Sequence, residues 1–357
     1  MALIKALSYG SVISQLIIPL YYCCTSLTII AFIQIARNWA IFIQMLCKIE
    51  EELLIKYNNA INLKGKLRKT AIALYLFGIC EQCLATLNFI FSYKCESNAH
   101  GWEQFFKKHF HHIFYFIPYH HVLGIFSLII CWLNLIIWNF GDIFIVYLSI
   151  IMAARFRQIS DTLQLYLSTQ DIAFSRCSKH NCILKKGNNA FFGEIREDYN
   201  KLALIIKKLN RLLSNLIVLC YAFNLYFILI QLFNSIREME PYTERIYFFY
   251  SFGFVITRTI IVSIYAASVN EESKRFLPIL NSAPSSFYCL EIQRLITQIH
   301  NDSSALTGHN FFTITRGSVL NIAAAVITYE LVLIQFNQNT MEFYKSANST
   351  ICFDAVD

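Results

Sequence analysis

Charged side chains are scarce in this 357-residue sequence, in which Asp, Glu, Lys and Arg together make up 15% of the residues. Soluble domains carry about 25% charged residues. Hydrophobic residues reach 56%, which is more apolar surface than a soluble domain could bury. The shortage of charge therefore excludes an ordinary soluble domain and favours a polytopic membrane protein in contact with lipid.

Motifs for catalysis and for cofactor binding are also missing. The sequence has no glycine-rich phosphate loop, no nucleophile elbow and no set of metal ligands at a recognised spacing. Its twelve cysteines form no paired C-x-x-C motifs of the zinc type, and most lie in apolar runs, which is typical of small core residues. No long basic run suggests nucleic acid. We expect no enzymatic activity, no cofactor, no bound metal and no nucleic-acid partner.

Long apolar runs are abundant, and a run of about 20 residues is enough for a helix to cross a membrane. Six runs meet this length: residues 11–36, 70–93, 122–152, 212–236, 246–269 and 317–336. Four of them carry a single charged residue, namely Glu81, Asp142, Arg258 and Glu330. The sequence predicts an all-α fold, a polytopic membrane helical bundle with six spans.

Lysine and arginine concentrate in alternate connections between the spans. The stretches 37–69, 153–211 and 270–316 are rich in both residues, so we expect these stretches in the cytosol and both chain termini outside. Helical periodicity in "NWAIFIQMLCKIEEELL" and "REDYNKLALIIKKLNRLLSNL" predicts helices that continue from the membrane into the cytosol; helices lying on the lipid surface are the alternative. The predicted divisions are a bundle with extended helices (1–269), a cytoplasmic helical segment (270–316), the last span (317–336) and an extracellular tail (337–357).

The segment "ALTGHNFFTITRGSVLNIAAAVITYELVLIQF", residues 305–336, resembles the C-terminal signature of insect gustatory receptors. That signature is Thr-Tyr, five mostly apolar residues and then Gln-Phe, which correspond here to Thr328, Tyr329, Gln335 and Phe336. Glu330 directly after the tyrosine resembles the sugar-receptor branch of the family. The segments "FGDIFIVYLS", "REDYNKL", "NLYFILIQLFNS" and "NEESK" resemble the same branch.

The resemblance implies a seven-span fold, whereas this sequence has six spans. Residues 11–36 correspond to the second span of the family, so we expect that the first span is missing, through a truncated gene model or in a real six-span receptor. The resemblance further implies a plasma-membrane subunit of a ligand-gated, non-selective cation channel, a homo- or hetero-tetramer with related gustatory receptor subunits. A sugar would bind in the outer half of the bundle. The alternatives are a receptor for another tastant or for an internal nutrient, and a non-channel membrane receptor or transporter.

Ionisable residues inside a membrane are costly and mark candidate functional sites. Arg258 can pair with Asp142 or with Glu81, either as an architectural pair or within a sugar site. Trp138 and Asp142 are four residues apart and share a helix face, which provides a stacking surface and an acceptor for a sugar; a tryptophan that anchors the membrane interface is the alternative. The predicted ligand site comprises Glu81, Trp132, Trp138, Asn139, Asp142 and Arg258.

The last span carries the predicted pore. Tyr329, Val332 and Phe336 follow one helical stripe, so we assign them, with Gln335, to the pore or gate. Glu330 lies on the opposite stripe and is predicted, with Thr328, to couple the pocket to the gate. In the alternative, Glu330 faces the pore and favours cations.

The outer segment "KKHFHHIFYFIPYHH" has five histidines among aromatic residues. Because no cysteine or carboxylate is spaced for zinc, we favour packing of the segment over metal binding. Asn348 begins a glycosylation sequon that we expect outside the cell and glycosylated. Cys95 and Cys352 are also predicted outside, where they could form a disulfide.

Overall fold

The computed structural model describes residues 2–57, 63–96, 102–176, 181–235, 242–302, 304–329, 331–332 and 335. Helices make up nearly all of this part of the chain, which confirms the predicted all-α class. The elements are α1 (Ala2–Tyr57), α2 (Leu63–Glu96), α3 (Trp102–His109), α4 (His111–Phe114), α5 (His121–Arg176), α6 (Asn181–Ser235), α7 (Tyr242–Lys274), α8 (Phe276–Asn281), α9 (Leu290–Asn301), β1 (Thr307–Gly308), β2 (Phe312–Thr313) and α10 (residues 316–329).

Five helices in the described part of the chain are long and apolar enough to cross a membrane. Their apolar ranges are Leu20–Tyr57, Leu63–Asn88, His121–Thr169, Asn189–Leu232 and Tyr242–Asn281. Helices α5 and α6 have 56 and 55 residues, or roughly 80 Å at about 1.5 Å per residue, against a hydrocarbon core of about 30 Å. These helices therefore continue unbroken well beyond a single span.

The chain folds into two compact units, each built from three stretches. The first unit comprises Met1–Tyr75, Asn134–Cys220 and Ile260–Arg316, and the second comprises Leu76–Leu133, Tyr221–Thr259 and Gly317–Asp357. The sequence-based divisions at residues 269, 316 and 336 are not tested by these units and stay predictions.

Three aromatic rings pack together in the core of the first unit. The Tyr199 ring on α6 lies 5.4 Å from the Phe156 ring on α5 and 5.3 Å from the Phe276 ring on α8, and all three side chains are buried. Each such burial contributes about 1.5–3 kcal/mol. Helix α9 adds one apolar face, because its buried residues recur every three or four positions: Ile292, Leu295 and Ile299.

An ionic cluster joins the end of α1 to α6 in the first unit. The buried Asp198 carboxylate accepts hydrogen bonds from the Tyr57 hydroxyl at 2.6 Å and from the Lys56 ammonium at 2.7 Å. Lys56 also pairs with Glu194 at 2.9 Å. A buried carboxylate is costly unless it is paired. Asp198 finds its partners on the last turn of α1, so these contacts hold that turn against α6.

The second unit contains a small apolar cluster formed by Phe105 and Phe106 of α3 and the neighbouring Phe110. Gly124 of α5 lies directly beneath it, since a Cβ atom there would come within 2.9 Å of the Phe106 ring. The absence of a side chain at Gly124 therefore lets the ring approach the helix backbone.

Candidate ligand site and pore helix

Glu81 is the centre of a polar network in the second unit. Its carboxylate on α2 accepts a hydrogen bond of 2.7 Å from the Ser251 hydroxyl on α7. The Gln231 amide on α6 donates to the same hydroxyl oxygen at 3.2 Å. Three helices thus contribute polar groups to one place in an otherwise apolar bundle, as buried polar groups require.

Arg258 is the second polar centre of this unit. Its buried guanidinium on α7 donates to the Asn224 side-chain oxygen on α6 at 2.5 Å and lies 5.5 Å from the centre of the Phe254 ring. Arg258 and Glu81, two of the predicted site residues, therefore both lie in the second unit, and each is hydrogen-bonded to a polar side chain of another helix.

The two polar centres form a regular ladder between α6 and α7. Asn224 and Gln231 are seven residues apart on α6, and Ser251 and Arg258 are seven apart on α7. Two helical turns take about seven residues, so each pair shares a face, and the hydrogen bonds join the helices in antiparallel order. The uncharged members of the ladder were not among the predicted site residues, and their seven-residue spacing inside apolar runs is the only local signal of their shared role.

The other predicted site residues lie on α5. In the first unit, the Trp138 ring lies 5.3 Å from the Tyr21 ring of α1, the Asn139 amide donates to the Leu135 carbonyl at 3.0 Å, and the Asp142 side chain is only 1% exposed. Trp132 is half-buried in the second unit. None of these contacts tests a ligand role, which stays a prediction for these residues.

The predicted pore residues are only partly described. Tyr329, Val332 and Gln335 are exposed, and the Thr328 hydroxyl donates to the Ala324 carbonyl at 2.8 Å, which is a bond within the helix. Glu330 and Phe336 lie outside the described residues, as do Asn348 and Cys352. The pore, coupling and glycosylation roles therefore stay predictions.

Aromatic rings surround His109 in the histidine-rich segment, whose position outside the cell stays a prediction. The His109 ring stacks on Phe105 at 5.8 Å and meets Phe110 edge-on at 4.6 Å. Burial, followed by the nearby charge of His112, lowers the pKa of His109 to about 4. His109 is therefore neutral at physiological pH and acts as a packing residue.

Comparisons with known proteins give one family. The family profile described as "Trehalose receptor" matches residues 7–345. The chain is 29% identical over 321 residues to the Drosophila melanogaster gustatory receptor for sugar taste 64f, covering 88% of this chain and 64% of that receptor. It is 25% identical over 274 residues to the Drosophila gustatory receptor 5a for trehalose, covering 77% and 58%. The chain thus spans less than two thirds of the length of these relatives.

The fold has a solved counterpart in the insect olfactory receptor OR5 from Machilis hrabei, determined in complex with eugenol. The TM-score is 0.62 at 13% identity, over 88% of this chain and 79% of that one, which establishes similarity of fold alone. Because the family profile extends over nearly the whole sequence, the chain belongs to the trehalose receptor family, the sugar-receptor branch of the insect gustatory receptors.

Proposed function

We propose that this chain is a sugar-sensing subunit of a tetrameric, ligand-gated, non-selective cation channel in the plasma membrane. The observation that carries the proposal is the similarity, over most of the chain, to receptors named for sugar taste and for trehalose. The tetramer contains either identical subunits or related gustatory receptor subunits. A receptor for another tastant or an internal nutrient remains the alternative.

The polar ladder of the second unit supports a sugar as the ligand. Sugar hydroxyls both donate and accept hydrogen bonds, so they match a mixed set of carboxylate, amide, hydroxyl and guanidinium groups. Glu81, Gln231, Ser251, Asn224 and Arg258 supply all four types. Ligand sites in proteins typically combine a small number of convergent polar groups with apolar and aromatic walls. We propose that a sugar exchanges hydrogen bonds with this ladder.

The last helix supports assembly around a pore. Large apolar side chains remain exposed along it, including Leu320, Ile327, Leu331 and Val332. Four copies placed around an axis would bury one face of this helix against their neighbours, which is the usual arrangement of a pore helix. Tyr329, Val332, Gln335 and Phe336 are the residues that we assign to the pore or gate.

Heterologous expression tests the function. The chain is expressed alone and together with a related sugar-receptor subunit, and whole-cell current is recorded against a panel of mono- and disaccharides, with bitter tastants and amino acids as controls. We expect a sugar-evoked cation current in at least one of the two expressions. A current evoked only by a non-sugar would support the alternative tastant, and surface-expressed protein with no current under any ligand would contradict the channel.

Topology provides a separate test. The positions of lysine and arginine predict an extracellular C-terminus, so a C-terminal epitope tag should bind antibody on intact cells, and glycosidase treatment should shift the mobility of the protein unless Asn348 is replaced by Gln. Antibody binding only after permeabilisation would contradict the predicted orientation. A G-protein-coupled receptor, whose C-terminus is inside, would give that result.

A further inference from the structure

A polar cavity of about 440 Å³ lies in the first unit between α6 and the β1–β2 hairpin. This volume falls in the range of about 300–1,000 Å³ that is typical of small-molecule sites. The residues that line it are Lys207, Asn210, Arg211, Ser214, Thr307, His309 and Asn310. The cavity contains none of the predicted ligand, pore or coupling residues, so it belongs to no site described above.

The hairpin is held on α6 by specific hydrogen bonds. The Asn210 amide donates to the Ala305 carbonyl at 2.8 Å, and its side-chain oxygen accepts from the Thr307 backbone at 3.2 Å. The His309 backbone N–H donates to the Ser214 hydroxyl at 2.7 Å. Gly308 approaches so closely that a Cβ atom there would lie 3.0 Å from Val218. One wall of the cavity is therefore preorganised before any ligand arrives.

The charge of the cavity is positive. Lys207 forms an ion pair with Asp302 at 3.0 Å. Arg211 is exposed and makes no ion pair within the part of the chain that the structure describes. The His309 ring also lines the cavity, and its Nε2 atom contacts the Asn215 side-chain oxygen. Guanidinium and ammonium groups beside amide and hydroxyl donors are the groups that proteins use to bind phosphate.

The predicted topology puts the cavity at the cytosolic face of the membrane. Lys207 and Arg211 directly precede the predicted fourth span, which begins at residue 212, and the hairpin ends three residues before α10. The hairpin tip presents Phe311, which is 85% exposed. An exposed aromatic residue beside basic groups is typical of a segment that inserts into the lipid headgroup layer.

We propose that this cavity binds the phosphorylated headgroup of an anionic lipid of the cytosolic leaflet, an inositol phospholipid, with Arg211 and Lys207 on the phosphates and Phe311 in the adjoining acyl region. Basic pockets on the cytosolic side of helical membrane proteins bind such headgroups. The bound lipid bridges α6 to the segment that leads into the last helix. This site is independent of which tastant the receptor senses.

Binding is measured on the full chain purified in detergent, with a fluorescent short-chain phosphatidylinositol bisphosphate as the probe. Arg211→Ala should weaken binding at least about fivefold, the factor expected for one basic residue at a membrane surface. Arg211→Lys should retain most of the affinity, because it keeps the positive charge. Retained binding by this variant also shows that a change at position 211 leaves the fold intact. Phe311→Ser should weaken binding of the lipid but not of free inositol trisphosphate.

Lys69→Ala is the matched control, since Lys69 is an exposed basic residue of the first unit at the start of the predicted second span. It should leave the affinity nearly unchanged, and short-chain phosphatidylcholine should not compete. Equal losses for Arg211→Ala and Lys69→Ala would show diffuse attraction between basic residues and lipid and overturn the proposal. Binding of inositol trisphosphate as tightly as the lipid would assign the cavity to a soluble anion and overturn the lipid assignment.

Discussion

Replacing Asp198 by alanine should destabilise the first unit more than the loss of an exposed ion pair does. Asp198 is 4% exposed and accepts hydrogen bonds from the Tyr57 hydroxyl at 2.6 Å and from Lys56 at 2.7 Å. In Asp198→Ala, the buried Tyr57 hydroxyl loses its acceptor. Lys56 is less affected, because it keeps Glu194 at 2.9 Å and its side chain is about one third exposed.

The expected loss follows from these contacts. A buried hydroxyl left without a partner costs about 1–3 kcal/mol. The contact with the partly exposed Lys56 contributes about 0–1 kcal/mol, since solvent screens the lysine charge. The sum is a loss of roughly 1–4 kcal/mol in the free energy of unfolding, which lowers the apparent Tm by roughly 2–8 °C at about 2 °C per kcal/mol.

Thermal unfolding of the detergent-purified chain, followed by size-exclusion fluorescence, measures this loss. Glu52→Ala is the control for an exposed ion pair of the same cluster, because Glu52 pairs with Lys201 at 3.0 Å and both side chains are more than two-fifths exposed. Lys201 keeps its contact with Asp198, at 3.5 Å, in this variant. Tyr57→Phe should recover part of the loss when combined with Asp198→Ala, since it removes the stranded hydroxyl. A Tm decrease for Asp198→Ala no larger than that of Glu52→Ala would refute the assigned role of the cluster.

Three further outcomes follow. Asp142→Asn and Trp138→Ala should each raise the sugar concentration needed for half-maximal current without reducing surface expression; unchanged dose–response curves for both would exclude this helix face from the ligand site. Burial lowers the pKa of His109 from 6.5 to about 4, so the histidine-rich segment should be most stable above pH 6.5 and lose stability as the pH falls towards 4. His109→Phe should flatten this pH dependence in thermal unfolding. An equal pH slope in the two proteins would contradict the assignment to His109. Glu330→Gln should shift sugar sensitivity with little change in single-channel conductance, whereas a large loss of conductance with unshifted sensitivity would place Glu330 in a pore ring.

The polar ladder illustrates how far the sequence reaches into the candidate site. Glu81 and Arg258 could be identified as candidates from the sequence, because a lone charge in an apolar run is costly in a membrane. Ser251, Gln231 and Asn224 could not be singled out with equal force, since uncharged polar residues are tolerated on many helix faces. Their role depends on which faces of α6 and α7 meet, and packing decides that.

The cavity beside the hairpin is a second example. Lys207 and Arg211 are visible in the sequence only as two of several basic residues before a span, and "TGHNFFT" is visible only as a polar turn before the last helix. The contact between Asn210 and Ala305 joins residues 95 positions apart. No local pattern specifies a contact of that separation.

The amino-acid sequence alone determined the membrane class, the helical content and the family, because hydropathy, helical periodicity and a signature motif are each encoded in consecutive residues. Only the tertiary structure decided which polar groups meet: Asp198 with the end of α1, Gln231 with Ser251 and Ser251 with Glu81, and the hairpin with α6. The physical reason is that such contacts arise when long helices pack side by side, and the choice of face and depth depends on the shapes of all the side chains between them.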